Sequence, residues 1–371
     1  MRYFIIAGEA SGDLHGANLM RAIKKYDPQA TFRFLGGDNM AAVADGLAMH
    51  YRDTAFMGLD VIWHLRKIIK KINFCKKEIL TFQPDRVILI DYPGFNMRMA
   101  KFLHNKGIKV YYYIAPKAWA WKKKRVYDIQ KYVHWLYVIF PFEVEFFRQF
   151  GIHVSYFGNP LVDAINDFQK QKISRDAFLS QHHLSDKPII ALVPGSRRGE
   201  IERILPQMIK ATEKYSDSHQ LIITGAPAIE TSLYQKIIKN KDIPIIYNAT
   251  YQILSLAQAA VVTSGTATLE TALIGCPQVV VFKTGWFTYL IGRPIVRIRF
   301  FSLVNIIAEK EVVKELLQFK LSSRIAKELD KLLYDKDYIQ RMHTEYCLIA
   351  HQLGSVGVAE RVAHHLIHND R

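Results

Sequence analysis

Two short loops carry the clearest chemistry in this sequence of 371 residues. Each follows an apolar run and leads into a helical pattern: Pro194-Gly195-Ser196-Arg197-Arg198-Gly199-Glu200, and Thr263-Ser264-Gly265-Thr266-Ala267-Thr268-Leu269-Glu270. Small residues leave backbone N–H groups free where a helix begins, and the helix dipole favours an anion there. Arg197 can make paired hydrogen bonds to a phosphate. Glu270, one turn into its helix, can accept ribose hydroxyls. Either loop alone reads equally as a capped helix. Two such seats in one half of the chain, both at strand ends, point to a nucleotide diphosphate, held by Gly195, Ser196, Arg197, Ser264, Gly265, Thr266 and Glu270.

The first half holds weaker candidates. Gly8-Glu9-Ala10-Ser11-Gly12-Asp13-Leu14-His15-Gly16 follows a strand and opens a helix. Its glycines permit close approach of a ligand, but it is not G-x-G-x-x-G, and the plain alternative is a tight turn with Asp13 or Ser11 as helix cap. In Arg86-Val87-Ile88-Leu89-Ile90-Asp91-Tyr92-Pro93-Gly94-Phe95-Asn96, Asp91 ends a buried strand. A carboxylate there can take a proton from an attacking hydroxyl, or merely cap the turn before Pro93. Trp119 and Trp121 precede Lys122, Lys123, Lys124 and Arg125. Together they suit a phosphorylated ligand, or a solvated helix start. Finally, Val61, Ile62, Leu65, Ile68, Ile69 and Ile72 share one helical face beside Arg66, Lys67, Lys70 and Lys71. That face fits a membrane interface or an ordinary core contact.

The elements that must position these residues alternate. Strands are expected at Arg2 to Ala7, Thr31 to Leu35, Arg86 to Asp91, Val110 to Ile114, Trp135 to Phe140 and Val154 to Phe157, with helical patterns between most of them, the first from Asp13 to Lys25. After a mixed stretch from Leu161 to Leu184 the pattern restarts at Ile189 to Val193. It continues through Leu221 to Thr224, Ile243 to Ile246, Ala260 to Thr263 and Val279 to Phe282. This is βα alternation around parallel sheets. The expected fold is α/β with two Rossmann-like domains, residues 1–165 and 166–345. A last helical stretch, about Ile339 to Ile367, has no strand after it, and its end, 346–371, folds back on the first domain.

Composition narrows the partners. Lys plus Arg number 50 against 34 for Asp plus Glu, a formal net charge of +16. This suits nucleic acid, an anionic lipid surface or a phosphorylated substrate. The three cysteines, Cys75, Cys276 and Cys347, are scattered, which argues against a disulfide framework. No apolar run reaches the length of a membrane span or of a signal peptide. No Asp-x-Asp after a strand, no Walker A loop and no metal-ligand spacing occurs, so no metal is expected.

Taken in order, Gly8 to Asp13, Asp91 to Asn96, Trp119-Ala120-Trp121, Gly195-Ser196-Arg197, Ser264-Gly265-Thr266-Ala267, Leu303-Val304-Asn305-Ile306-Ile307-Ala308 and Glu315-Leu316-Leu317-Gln318 resemble the lipid-A-disaccharide synthase family. The resemblance runs from about residue 3 to 360. It implies a GT-B fold with the active site in the cleft between the halves. It also implies transfer of 2,3-diacylglucosamine from its UDP derivative to 2,3-diacylglucosamine 1-phosphate, giving a β-1,6 disaccharide 1-phosphate and UDP with inversion. Asp91 matches an acid needed for activity and becomes the candidate base, with Glu9 as a second catalytic candidate. Ser11, Gly12, Trp119 and Trp121 fall to the acceptor side, and Asn305 joins the UDP-binding set. The family uses the region of Val61, Ile62, Leu65, Ile68 and Ile69 for membrane contact. Implied partners are the donor, the acceptor and an anionic membrane surface, not nucleic acid. The implied location is cytoplasmic and peripheral on the inner membrane, with no cofactor and with room for a homodimer.

The chain departs from the family pattern in places. Gly94 replaces a second acid, Asn159 a histidine, and Glu309-Lys310 a Gly-Arg pair. Two rival readings are a UDP-N-acetylglucosamine 2-epimerase-like isomerase and a non-catalytic protein that binds anionic membrane or nucleic acid.

Overall fold

Strands covered on both faces must be apolar on both sides, so they appear in sequence as short unbroken hydrophobic runs. In the computed structural model those runs build two parallel sheets. The structure describes residues 1–53, 61–116, 123–283 and 299–368, the side chains of 53, 61–68 and 123–124 excepted. The chain divides into two compact units, Met1–Pro160 with Leu353–Arg371, and Leu161–Gln352.

Unit 1 runs β1 (Arg2–Ala7), α1 (Ala10–Tyr26), β2 (Thr31–Gly36), α2 (Asp38–Ala41), β3 (Leu47–His50), α3 (Val61–Phe82), β4 (Arg86–Ile90), α4 (Pro93–His104), β5 (Val110–Tyr113), α5 (Lys123–Tyr132), β6 (Trp135–Val138), α6 (Pro141–Arg148) and β7 (Val154–Tyr156). Its sheet has the order β3-β2-β1-β4-β5-β6-β7, all parallel. Successive residues of β1 serve opposite faces. Phe4 and Ile6 pack with Val87, Leu89 and Met99, whereas Tyr3, Ile5 and Ala7 pack with Leu19, Ile23 and Ile88.

Unit 2 holds α7 (Pro160–Gln171, whose first residue closes unit 1), α8 (Arg175–Gln181), β8 (Ile189–Val193), α9 (Arg198–Thr212), β9 (Gln220–Gly225), α10 (Thr231–Ile238), β10 (Ile245–Tyr247), α11 (Thr250–Leu256), β11 (Ala257–Thr263), α12 (Thr266–Ile274), β12 (Gln278–Phe282), α13 (Leu303–Ala308), β13 (Lys314–Leu317), α14 (Leu321–Tyr334) and α15 (Lys336–Gln352). The order is β10-β9-β8-β11-β12-β13, again parallel.

The helical stretch expected from Ile339 to Ile367 is two helices. Gly354 and Gly357, with φ of +86° and +89°, separate α15 from α16 (Val358–His368). The chain re-enters unit 1 at Leu353. Val358, Val362, Ala363 and Leu366 of α16 join the core of α1 and β1. The buried Arg86 donates to the carbonyls of Leu366 and Ile367, supplying a cation where the helix dipole is negative.

α3 extends ten residues past the expected amphipathic segment. Ile72, Cys75 and Ile79 are buried in the core, while Ile69 and Leu80 are exposed. The side chains of Val61, Ile62, Leu65 and Ile68 lie outside the described residues, as do Trp119 and Trp121. Among the described residues no helix is long and apolar enough to cross a membrane.

Candidate active site

In each unit the strand order reverses once. β1, β2 and β3 step outward on one side, β4 to β7 on the other. The reversal point therefore lies between β1 and β4. Unit 2 repeats this with β8 and β11. Ligands of open α/β sheets bind beyond the carboxyl ends of the strands at such a point. Registers Ala7↔Ile90 and Val193↔Val262 bring the loops after these strands out side by side. The structure thus joins Glu9, Ser11 and Gly12 with Asp91 in unit 1, and Gly195, Ser196 and Arg197 with Ser264, Gly265 and Thr266 in unit 2.

The unit 1 loops are tightly built. β4 ends at Ile90, so Asp91 is not the last strand residue as expected. It turns out of the sheet with φ of +42°, and Tyr92 follows at +47°. Two adjacent non-glycine residues in the left-handed region cost about 1–2 kcal/mol each. The Asp91 N–H donates to the Tyr113 carbonyl (3.1 Å). The Asp91 carbonyl accepts from the Tyr112 hydroxyl (2.6 Å) and from Asn96 Nδ2 (2.8 Å), which also donates to the Ile90 carbonyl (3.1 Å). The ring of Tyr92 lies over Gly8, where a Cβ would come within 2.2 Å of a ring carbon, so residue 8 must lack one. Phe95 stacks on the same ring at 5.6 Å. Burial, then the charge of Glu9, raises the Tyr92 phenol pKa. Glu9 is exposed and stands at the start of α1 with no side-chain cap. Gly94 is exposed, with open space where a Cβ would be.

Asp13 caps a different helix from the one expected. Its buried carboxylate accepts from the N–H groups of Gly37 (2.6 Å), Asn39 (3.0 Å) and Met40 (3.1 Å), fixing the start of α2. His15 is half-buried beside Tyr113, and the desolvation of its ring lowers its pKa to about 4. Asn159 is buried and donates to the Ile139 carbonyl (3.0 Å).

In unit 2, Gly195 has φ of +102°, and Arg197 stands at the start of α9 with its side chain 83% exposed. Its guanidinium donates to Glu200, at 3.1 Å. Gly265 and Thr266 open α12, whose first N–H groups lack acceptors within the helix. Ser264 differs from expectation. Its N–H donates to the Val281 carbonyl and its hydroxyl to the Phe301 carbonyl, both at 2.9 Å, so both of its hydrogens are already used. Glu270 accepts from the Tyr251 hydroxyl (2.9 Å), and burial raises its pKa.

Asn305, expected at the nucleotide, is fully buried and fully used. Its Nδ2 donates to the Val313 carbonyl (2.8 Å) and Glu315 Oε1 (2.9 Å), and its Oδ1 accepts from the N–H groups of Val312 (2.8 Å) and Val313 (3.0 Å). Glu315 also accepts from the N–H groups of Phe301 and Ser302. Asn305 therefore holds the segment on which Ser264 is latched and has no hydrogen-bonding capacity left for a ligand. Sequence reasoning missed Tyr112 and Tyr251 as parts of these sites, and gave Glu315 a place in a family motif but no role, because each acts on a residue distant in sequence. Among the described residues no group of three His, Cys, Asp or Glu side chains is placed to hold a metal ion.

Two parallel α/β units with loops gathered at their reversal points define the GT-B class of fold. Solved structures agree. The UDP-GlcNAc 2-epimerase of Neisseria meningitidis, bound to UDP-GlcNAc, matches with a TM-score of 0.71 at 13% identity, covering 100% of both chains. That of Methanocaldococcus jannaschii, in complex with UDP-GlcNAc and UDP, gives 0.69 at 15% identity with the same coverage. At such identity the likeness concerns the fold alone. The family model described as lipid-A-disaccharide synthetase matches residues 3–366. The lipid-A-disaccharide synthase of Syntrophus aciditrophicus is 40% identical over 368 residues, 97% of this chain and 95% of that one. That of Geobacter sulfurreducens is 35% identical over 371 residues, with 98% and 95% covered. The chain belongs to the lipid-A-disaccharide synthase family and is a glycosyltransferase of lipid A biosynthesis.

Proposed function

We propose that the protein transfers 2,3-diacylglucosamine from UDP-2,3-diacylglucosamine to 2,3-diacylglucosamine 1-phosphate, forming the β-1,6-linked disaccharide 1-phosphate and UDP with inversion at the anomeric carbon. The observation that carries this reading is the family match from residue 3 to 366. The paired loops at the two reversal points support it. Unit 2 takes the UDP end of the donor, with the α9 and α12 N-termini and Arg197 at the diphosphate and Glu270 at the ribose. Ser196, Gly195, Gly265 and Thr266 give close backbone approach; Ser264 and Asn305 act through the loops they hold. Unit 1 takes the acceptor.

In the reaction, the Asp91 carboxylate accepts the proton of the acceptor's 6-hydroxyl as that oxygen attacks the anomeric carbon from the face opposite UDP. The C–O bond to the diphosphate breaks, and the charge on departing UDP is met by helix N-termini and the Arg197 guanidinium. Glu9, beside Tyr92, orients the acceptor. Both substrates are anionic and carry acyl chains, which suits the charge of +16 and a peripheral position on the cytoplasmic face of the inner membrane, with α3 as the contact.

The test is a mass-resolved assay with both lipid substrates, detergent and a chelator. Disaccharide 1-phosphate with stoichiometric UDP is the expected result. Absence of product from folded protein that still binds UDP overturns the reading and directs the next assay to epimerisation of a UDP-sugar.

A further inference from the structure

The turn that presents Asp91 is held by fully buried side chains. We infer that Tyr112 and Asn96 are positioning residues for the Asp91 carboxylate; this rests on the base role proposed above. The carbonyl oxygen of Asp91 receives two hydrogen bonds, from the Tyr112 hydroxyl at 2.6 Å and from Asn96 Nδ2 at 2.8 Å. Both donors are rigid: Tyr112 lies within β5 and Asn96 in the first turn of α4, and both are wholly buried. Asn96 grips the preceding carbonyl as well, at 3.1 Å from Ile90 O. The Asp91 N–H is fixed from the other side by Tyr113 O at 3.1 Å.

Together these bonds set the peptide planes on both sides of Asp91. That matters because the residue sits at φ of +42° and its neighbour at +47°. Without the two donors, the backbone has a lower-energy route back to the extended region, which would swing the carboxylate away from the line of β4. The amide orientation of Asn96 is itself determined, since its Nδ2 faces two carbonyl oxygens and a flipped amide would set oxygen against oxygen. Its Oδ1 is buried with no hydrogen-bond partner. Leaving that acceptor unpaired opposes folding, a cost set against a donor that is used twice on this turn. The strained pair, the two buried donors and the ring of Tyr92 over Gly8 form one device that presents a carboxylate at the reversal point of the sheet.

A positioning role is separable from a general packing role by testing whether it acts through Asp91. Tyr112→Phe removes one hydroxyl and keeps the ring, so it is the primary variant; Asn96→Ser is the second. In an otherwise native chain, Tyr112→Phe is expected to lower kcat about tenfold, with UDP affinity unchanged and Tm lowered by only a few degrees. In an Asp91→Asn background, where no carboxylate remains to position, the same change is expected to lower the residual rate less than twofold. An equal loss in both backgrounds, or native kcat in Tyr112→Phe, overturns the inference. Should Asp91→Asn itself keep native turnover, the base role fails instead, and the two failures are told apart by that single variant.

Discussion

Replacing Asn305 by alanine tests whether this residue binds the nucleotide or builds the loop that does. The side chain is fully buried and makes four hydrogen bonds of 2.8–3.0 Å. Alanine leaves the N–H groups of Val312 and Val313, the Val313 carbonyl and one Glu315 oxygen without that partner. A hydrogen bond contributes about 0.5–1.5 kcal/mol net, and a buried group left unpaired costs about 1–3 kcal/mol. Glu315 keeps the N–H donors of Phe301 and Ser302, so the sum is not fully additive. A loss of about 3–5 kcal/mol is expected, which for a unit of this size lowers Tm by about 6–20 °C. The Phe301 carbonyl that receives the Ser264 hydroxyl moves with this segment, so UDP affinity should fall in parallel. Urea unfolding followed by circular dichroism, with calorimetric titration of UDP, reads both quantities. A variant of native stability that has lost UDP affinity more than tenfold would refute the reasoning, because only a direct ligand contact gives that pattern.

Arg197→Ala should act in the opposite way. Its side chain is mostly exposed, and its pair with Glu200 is worth less than about 1 kcal/mol, so Tm should hold. Loss of a charge-assisted bond to a diphosphate should weaken UDP binding about tenfold or more; an unchanged Kd refutes the contact. His15 gives a pH prediction. Its folded pKa is about 4, below the ordinary 6.5, because burial disfavours the charged ring. Between these values the unfolded chain binds the proton and the folded chain does not. The stabilisation is therefore full above pH 6.5 and is lost as pH falls towards 4, by about 3 kcal/mol. His15→Leu should flatten that limb in urea titrations, and an unaltered slope assigns the acid sensitivity elsewhere.

Much of the architecture was legible because buried parallel strands announce themselves locally. Ile189 to Val193 is apolar throughout and is a strand over those residues. The edge strands β3 and β13 escaped notice for the same reason inverted. Leu47–His50 and Lys314–Leu317 are partly exposed, and each carries a polar residue that cuts its apolar run short. The loops after β1, β4, β8 and β11 stood out as small, polar breaks in hydrophobic sequence. Their ordered succession pointed to the family that the matching of residues 3–366 establishes.

Other features depend on non-local pairing. No local pattern fixes strand order, so nothing in the sequence said that β1 lies beside β4 and β8 beside β11, which is what gathers the four loops in two pairs. Nor could it show that Asp91 leaves the strand in a left-handed turn held by Tyr112 from the neighbouring strand. Asp13 caps α2 and not its own helix, and Asn305 spends all its hydrogen bonds on its own unit. A polar side chain carries the same letter whether it faces ligand or backbone. Sequence alone thus marked which residues could do chemistry and where strands end. Only the tertiary fold, by supplying or withholding partners for each buried donor and acceptor, decided which of them remain free to do it.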